Sequence, residues 1–189
     1  MAQVSVHTAR LEIIPLGSDA IQALLDGEGP RLKELTGAVF PTPVVPPPYM
    51  AESLPIVRER LQRRPDEAPW WNWLVVRQDD AEAVGSVAFG GAPDESGAVL
   101  IGYAMYPGQE GHGYATEAVK AMVQWAFAQS GVRIVRALAP VWNTPAVHVA
   151  EKVGMRPVGS DEDDEVGEVL VYETIRSEEH GSTTWLPLS

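Results

Sequence analysis

Three closely spaced glycines, Gly108, Gly111 and Gly113, separate two segments whose apolar residues repeat with different periods. Residues 98–106 before them have an apolar strand pattern. The helical i, i+3, i+4, i+7 spacing follows, at Ala115, Ala118, Val119, Met122 and Ala126. The chain must therefore turn tightly from strand to helix, which directs unpaired amides and the positive end of the helix dipole at one point. This predicts a phosphate or pyrophosphate site, with a ligand-free tight turn as the alternative.

Two nucleotide-binding motifs do not fit this segment. A P-loop has Lys and then Ser or Thr directly after its last glycine, whereas Gly113 is followed by Tyr114 and Ala115. A dinucleotide fingerprint that began at Gly111 would have its third glycine where Thr116 stands, and the preceding strands look antiparallel. ATP hydrolysis and nicotinamide binding are therefore disfavoured.

The rest of the pattern predicts an α/β (α+β) fold whose sheet is mixed and mostly antiparallel. The expected strands are residues 11–15, 70–77, 83–89, 98–106, 132–139, about 155–158, and 168–175. The expected helices are residues 19–25 capped by Ser18, 31–35, 51–64, a helix from 115 ended by Gly131, and 145–153 ended by Gly154. Short polar turns join the strands between 70 and 106 into an antiparallel meander.

Charge and cysteine content exclude several classes of function. The 189 residues carry Lys+Arg 14 and Asp+Glu 26, a net charge of −12, and no Lys or Arg lies between Arg77 and Lys120. This disfavours nucleic-acid binding, which needs clustered basic residues, and favours cationic partners. The absence of cysteine excludes disulfides, a thiolate nucleophile and Cys-ligated metals.

The length suits one domain, expected over residues 1–176, with a polar tail over 177–189 that contains Trp185 and Leu186. The N-terminus lacks the charged start and apolar run of a secretory signal. No stretch approaches the roughly 20 apolar residues of a membrane helix. We therefore expect a cytoplasmic protein without a membrane partner, and a homodimer is compatible with this expectation.

Two segments resemble motifs of the GNAT superfamily of acetyl-CoA-dependent N-acetyltransferases, especially its RimJ/RimL-like branch. Residues 102–118 read GYAMYPGQEGHGYATEA and match the branch's pyrophosphate-binding motif without a gap. Residues 143–155 read NTPAVHVAEKVGM and are similar to the family's later Asn-to-Gly segment. Both occur in the family's order, and the order of strands and helices extends the resemblance over nearly the whole chain.

The resemblance implies acetyl-CoA as the acyl donor and assigns residues to it. The backbone of Met105 and Tyr106 would hydrogen-bond the pantetheine arm, and the Met105 amide would polarise the thioester carbonyl. The backbone amides of one loop would hold the pyrophosphate: Glu110, Gly111, His112, Gly113, Tyr114, Ala115 and Thr116. Asn143, Ala146 and Lys152 would lie beside the cofactor, with Asn143 near the reacting centre.

Two positions depart from the family pattern. Glu110 stands where relatives carry Arg or Gln, which places a negative charge beside an anion site, so we expect its side chain to point to water. Ala150 stands where many relatives have a tyrosine that protonates the leaving thiolate. His112 replaces a common Lys or Arg and is expected to be solvated and to touch phosphate.

Acetyl transfer to an amine needs no enzyme nucleophile, because the substrate amine attacks. It does need a route for a proton, and no acidic residue occurs on strand 98–106. A water chain ordered by Tyr103 and Asn143 is the leading hypothesis. The alternatives are a packed core aromatic for Tyr103 and a helix N-cap for Asn143, and the cap and the functional role are compatible.

The acceptor side is the least constrained by sequence. The acidic run at residues 161–165 is either a solvated hairpin loop or an attraction for a cationic amine or a basic peptide. Residues 40–51 and the helix after them are expected to shape the acceptor pocket. The tryptophans Trp70, Trp71 and Trp73 are expected in core or edge packing, with an acceptor cage as the alternative.

These observations predict an N-acetyltransferase that moves acetyl to a primary amine, either a protein N-terminus or a small amine, by direct attack in a ternary complex. The alternative is a non-catalytic acyl-CoA-binding or sensor module, favoured by Ala150 and by the lack of a clear base. No metal is expected.

Overall fold

The computed structural model describes residues 4–177, which form one eight-stranded sheet with helices on both faces. The strands are β1 (Val6–His7), β2 (Leu11–Pro15), β3 (Asn72–Arg77), β4 (Ala83–Phe89), β5 (Ala98–Met105), β6 (Ile134–Pro140), β7 (Arg156–Asp163) and β8 (Gly167–Ile175). The helices are α1 (Ser18–Leu25), α2 (Gly29–Thr36), α3 (Leu54–Arg63), α4 (Tyr114–Ala128) and α5 (Thr144–Lys152), with a 3₁₀ helix at Pro65–Trp70. The spatial order is β1-β2-β3-β4-β5-β6-β8-β7.

All neighbouring strands are antiparallel except β5 and β6, which confirms the mixed, mostly antiparallel sheet. Alternate residues of β3 point to opposite faces and meet different helices. Trp73 and Val75 belong to the core that contains Met122 of α4. Leu74 belongs to the core that contains Ile21 of α1 and side chains of α2 and α3. The sheet therefore separates an α4/α5 face from an α1–α3 face.

Strands β5 and β6 lie side by side only at their beginnings. Residues Ala98 to Leu100 pair with Ile134 to Arg136, and no further β5 residue pairs with a β6 residue in the described chain. Beyond this point β5 stays paired with β4, and β6 stays paired with β8 as far as Pro140. The two strands diverge into a cleft in the middle of the sheet, here called the splay.

Several predicted boundaries are wrong, each for a local reason. Trp70 was expected in a strand but ends the 3₁₀ helix, because Pro65 and Pro69 break up ladder pairing before Asn72. Ser18 was expected as a cap but is the first residue of α1, whose N-cap is Gly17. Helix α3 begins at Leu54, three residues later than expected, after a series of turns.

The expected acidic loop is largely strand. Asp161 to Asp163 are the last residues of β7 and pair with Gly167 to Val169 of β8, so only residues 164–166 form the turn. The interpretation as a loop is wrong for residues 161–163, because β7 is an exposed edge strand throughout. It therefore lacks the apolar alternation by which a strand is recognised in sequence.

Two further expectations concern the ends of the chain and the bilayer. The tail residues Trp185 and Leu186 lie outside the described residues. In residues 4–177, no helix has both the length and the apolar character needed to cross a membrane.

Candidate functional site

The edge of β5 that faces the splay carries backbone groups without a neighbouring strand. Gly90 N–H donates to Leu100 O at 3.0 Å and Tyr106 N–H donates to Val84 O at 2.9 Å, both towards β4. In an antiparallel ladder, intervening residues point their N–H and C=O the other way. Met105 therefore presents its backbone N–H to the splay, as the hypothesis for a polarising amide requires.

The backbone N–H of Tyr106, unlike that of Met105, is not free to bind a ligand. Its N–H is bound to Val84, its carbonyl accepts from Gln109 N–H at 3.0 Å, and its hydroxyl donates to Val45 O at 2.8 Å. The side chain is 2% exposed, and burial raises the pKa of the hydroxyl. The expectation that the Tyr106 backbone hydrogen-bonds pantetheine is therefore corrected, because Val84 O already accepts from its N–H and Gln109 N–H already donates to its carbonyl.

The three-glycine loop places unpartnered amides at the start of α4. Gly108, Gly111 and Gly113 have φ values of 87°, 77° and 78°, in the left-handed region that favours glycine. Gly113 is the N-cap of this 15-residue helix and offers no side-chain cap. Among the described residues, the amides of 110–116 donate no hydrogen bond to another protein group. This cluster of donors at a helix N-terminus suits an anion.

Arg10, from the turn before β2, contacts this loop on one side and stabilises it. Its Nη1 donates to His112 O at 2.9 Å, and its Nε and Nη2 each lie 2.7 Å from Glu117 Oε2. Glu117 also accepts from the Thr8 hydroxyl at 2.6 Å. The guanidinium lies 4.7 Å from the Tyr114 ring centroid. Sequence reasoning missed Arg10 because it is about a hundred residues from the loop in sequence.

Arg77, at the end of β3, contacts the other side of the three-glycine loop. Its Nη1 contacts Gln109 Oε1 at 3.4 Å and Tyr114 Oη at 3.5 Å. It also forms ion pairs with Asp80 and Glu82, and hydrogen bonds to Asp80 and Tyr114 raise its pKa. Both arginines near the loop are thus paired with carboxylates, which leaves the free amides as the main anion donors.

Two loop side chains differ in detail from expectation. Glu110 is exposed, but its carboxylate accepts from Gly108 N–H at 2.9 Å instead of pointing freely to water. His112 stacks on Tyr114 with ring centroids 5.4 Å apart and 15° between planes. Its Nδ1 lies 3.2 Å from Gln109 O. His112 is therefore part of the loop's own packing as well as exposed to solvent.

Tyr103 of β5 reaches the first turn of α5, the helix that Asn143 caps. The Tyr103 hydroxyl makes a long 3.5 Å contact with Pro145 O, in the first turn of α5, and burial raises its pKa. Asn143 is the N-cap of α5, because its Oδ1 accepts from Ala146 N–H at 3.2 Å. The capping alternative therefore holds, while the Asn143 side-chain NH₂ remains a donor for another group.

The remaining predicted positions spread along α5. Ala146 is half-buried against the α4/α5 core, and Ala150 is 4% exposed within it. Lys152 is exposed in the last turn, about 12 Å along the helix axis from its start. The structure therefore brings Ala146 close to the splay and leaves Lys152 apart from it.

A cavity of about 440 Å³ opens on the α1–α3 face of the same part of β5. Gly102, Tyr103 and Ala104 form part of its wall, and Leu138 of β6 lies across the splay. Residues 48–50, from the segment before α3, also line it. Of the three tryptophans, Trp71 lines the cavity, whereas Trp70 and Trp73 pack against Trp125 in the core.

Known proteins are similar to this chain in sequence or in fold. The N-acetyltransferase YjdG of Bacillus subtilis, itself called uncharacterized, is 31% identical over 103 residues, which are 54% of this chain and 61% of YjdG. A ribosomal-protein-S5-alanine acetyltransferase from Vibrio fischeri superposes with a TM-score of 0.67 at 13% identity, over 93% of this chain and 98% of its own. A spermidine N-acetyltransferase SpeG mutant from Vibrio cholerae gives 0.64 at 12%, over 89% and 95%.

The two superpositions show a common fold at low sequence identity. The region shared with YjdG spans less than two thirds of that relative. The family model for the acetyltransferase (GNAT) domain matches residues 10–156, which include the three-glycine loop, the splay and α5. The chain therefore belongs to the GNAT acetyltransferase family.

Proposed function

We propose that this protein is an acetyl-CoA-dependent N-acetyltransferase that passes acetyl directly to a primary amine while both substrates are bound. The observation that carries the proposal is that two sets of unpaired backbone N–H donors lie next to each other along the chain. The partner-free amides of residues 110–116 follow directly on the open edge of β5 that ends at Met105. One extended ligand with a diphosphate at one end can contact both.

The residues present fit such a ligand. No protein atom lies within 4 Å of a Cβ built at Gly108 or Gly111, so the loop surface is accessible. Acetyl-CoA supplies an acetyl group activated as a thioester. The Met105 N–H points into the splay, where it can donate to a carbonyl oxygen as negative charge develops on it.

The proton route in this proposal runs through water. The described strand β5 carries no carboxylate, and Ala150 has no acid to offer. The Tyr103 hydroxyl and the Asn143 NH₂ flank the splay and can order a water that takes the proton from the attacking amine. The Tyr103 hydroxyl donates towards Pro145 O, and its oxygen can accept a hydrogen bond from a water.

The proposed acceptor is a protein N-terminus or a small primary amine. Relatives of the same fold are named for acceptors as different as a ribosomal-protein alanine and spermidine, so the fold leaves the choice open. The acidic hairpin end at residues 161–165 favours a protonated amine or a basic peptide on approach. Serine at these five positions should raise the acceptor KM at low salt, and an unchanged KM would remove this role.

Cofactor binding is tested with a matched pair of glycine variants. Gly111 and Gly37 have φ values of 77° and 75°, and neither has an atom within 4 Å of a built Cβ. Gly111→Asp places a carboxylate at the anion site and should weaken CoA binding in calorimetry by about tenfold or more. Gly37→Asp, at the end of α2, should leave it unchanged. Equal CoA affinity in both variants contradicts the proposed site.

Turnover separates an enzyme from a non-catalytic acyl-CoA-binding module. Release of free CoA thiol is followed over a panel of small amines and peptides with the wild-type protein. The proposed function requires amine-dependent release with at least one acceptor. CoA binding without release on any acceptor would support the binding module instead.

A further inference from the structure

The 440 Å³ cavity is continuous with the proposed site of transfer. Gly102, Tyr103 and Ala104 line it together with Leu138 of β6. The backbone groups of Tyr103 point away from β4 and into the splay. The volume lies within the usual range for a small-ligand pocket, about 300–1,000 Å³. If the proposed function is correct, the body of the acceptor lies here while its amine reaches the splay.

The wall of this cavity is uncharged. Among the described residues that line it there is no Asp, Glu, Lys or Arg. Apolar side chains provide most of the surface, including Phe89, Leu100 and Leu138, and the last two are exposed by 42% and 47%. A second ammonium group on the acceptor would lose water here without gaining an ion pair, which is unfavourable.

Two polar side chains in the wall have donors to spare. Trp71 Nε1 is buried and has no partner among the described residues. Asn72 is 3% exposed, and its Nδ2 makes only a 3.6 Å contact with Met50 Sδ. Buried donors are normally satisfied by a protein group or an ordered water, and an oxygen that a ligand brings can take the same place. A carbonyl close to the amine, as in an amino-acid amide or a peptide, would meet this requirement.

A cation beside the Trp71 ring is already engaged elsewhere. The Arg60 guanidinium lies 5.4 Å from the Trp71 ring centroid, but it is ion-paired with Glu67 and does not line the cavity. The acidic end of the β7–β8 hairpin is also absent from the described lining. The acidic hairpin end can therefore attract a cationic acceptor from solution, while the uncharged cavity wall separately selects the body of the acceptor.

We infer that the acceptor is a monoamine whose body is uncharged and apolar, with a hydrogen-bond-accepting oxygen near the amine, and that diamines and polyamines are poor acceptors. This inference rests on the proposed function and narrows its acceptor class. The chemistry is shared by small arylalkyl amines and by peptides that begin with an apolar residue.

The test measures CoA release by the protein and compares kcat/KM among several acceptors. These are 2-phenylethylamine, phenylalanine amide, peptides that begin with Phe or Asp, 1,4-diaminobutane and spermidine. The apolar monoamines should exceed both polyamines by about tenfold or more. Phenylalanine amide should exceed 2-phenylethylamine, and the peptide arm shows whether a longer chain fits. Preference for a polyamine overturns the inference and leaves the proposed function intact. Release with no acceptor overturns the proposed function and the inference with it.

A variant tests the role of the uncharged wall directly. A Cβ built at Gly102 meets no atom within 4 Å, so Gly102→Asp introduces a carboxylate at a position with open space around its Cβ. It should raise the kcat/KM ratio of 1,4-diaminobutane to 2-phenylethylamine by about tenfold. Gly102→Asn controls for size, and Gly159→Asp on β7, also in open space, controls for charge. An unchanged ratio in Gly102→Asp contradicts the inference.

Discussion

The guanidinium of Arg10 places two nitrogens 2.7 Å from Glu117 Oε2, and the Arg10 backbone N–H donates to Glu117 Oε1 at 3.0 Å. The same guanidinium donates to His112 O. A residue before β2 thus ties the first turn of α4 to the loop in front of it. This contact holds the loop whose amides we propose to bind the cofactor.

Arg10→Ala should weaken CoA binding by about tenfold, because the loop loses the contact that orders its amides. Glu117→Gln should also weaken binding, since Arg10 is then no longer held in place. Tighter binding by Glu117→Gln would instead indicate that Arg10 acts by its charge on the phosphate. Arg31→Ala removes an exposed pair with Glu34 on α2 and serves as the control in calorimetry.

The Glu117 carboxylate makes stability depend on pH. Burial raises its pKa, but hydrogen bonds from Thr8 and Arg10 outweigh burial and lower it overall. A lowered pKa in the folded state means that the stabilisation is full above the unfolded value of about 4.3 and is lost as pH falls through the folded value. Urea unfolding of wild type and Glu117→Gln should therefore differ most near pH 6, and the difference should shrink as pH falls below the unfolded value. A difference that does not shrink with acid contradicts this.

Glu110→Gln should tighten CoA binding at low salt. The carboxylate lies beside the proposed diphosphate site, and a like charge at 4 Å costs about 1–4 kcal/mol, depending on the effective dielectric. Its exposure to solvent places the effect at the low end, a gain of a few-fold that salt reduces. Glu95→Gln, in the turn at the far end of β5, should have no effect. Weaker binding by Glu110→Gln would show that its contact with Gly108 N–H orders the loop.

Asn143 has a capping role and a proposed role in ordering water, which two substitutions separate. Asn143→Ala removes the cap of α5 and should cost about 1 kcal/mol of unfolding free energy. Asn143→Asp keeps an oxygen for Ala146 N–H and should retain stability, but it lacks the NH₂ donor and should still lower kcat. Recovery of both stability and kcat in the Asp variant would leave capping as the whole role.

The three-glycine loop was predictable because its determinants are adjacent in sequence. Gly111 and Gly113 adopt positive φ within a few residues of the helix start, and the free amides follow from that start alone. The contacts of Arg10 and Arg77 were not predictable in this way. They join segments that are distant in the chain, and no local period or spacing marks them.

Sequence by itself thus determined the meander, the strand-to-helix turn and the family, because each depends on local periodicity or a contiguous motif. Only the tertiary structure decided that Met105 has a free amide while the Tyr106 amide is taken, since that follows from the β4–β5 register. It also decided that Trp71 lines an uncharged cavity while Trp70 and Trp73 enter the core. A cavity wall is built from residues of separate strands and loops. Packing across the whole sheet determines which of these residues lie next to one another.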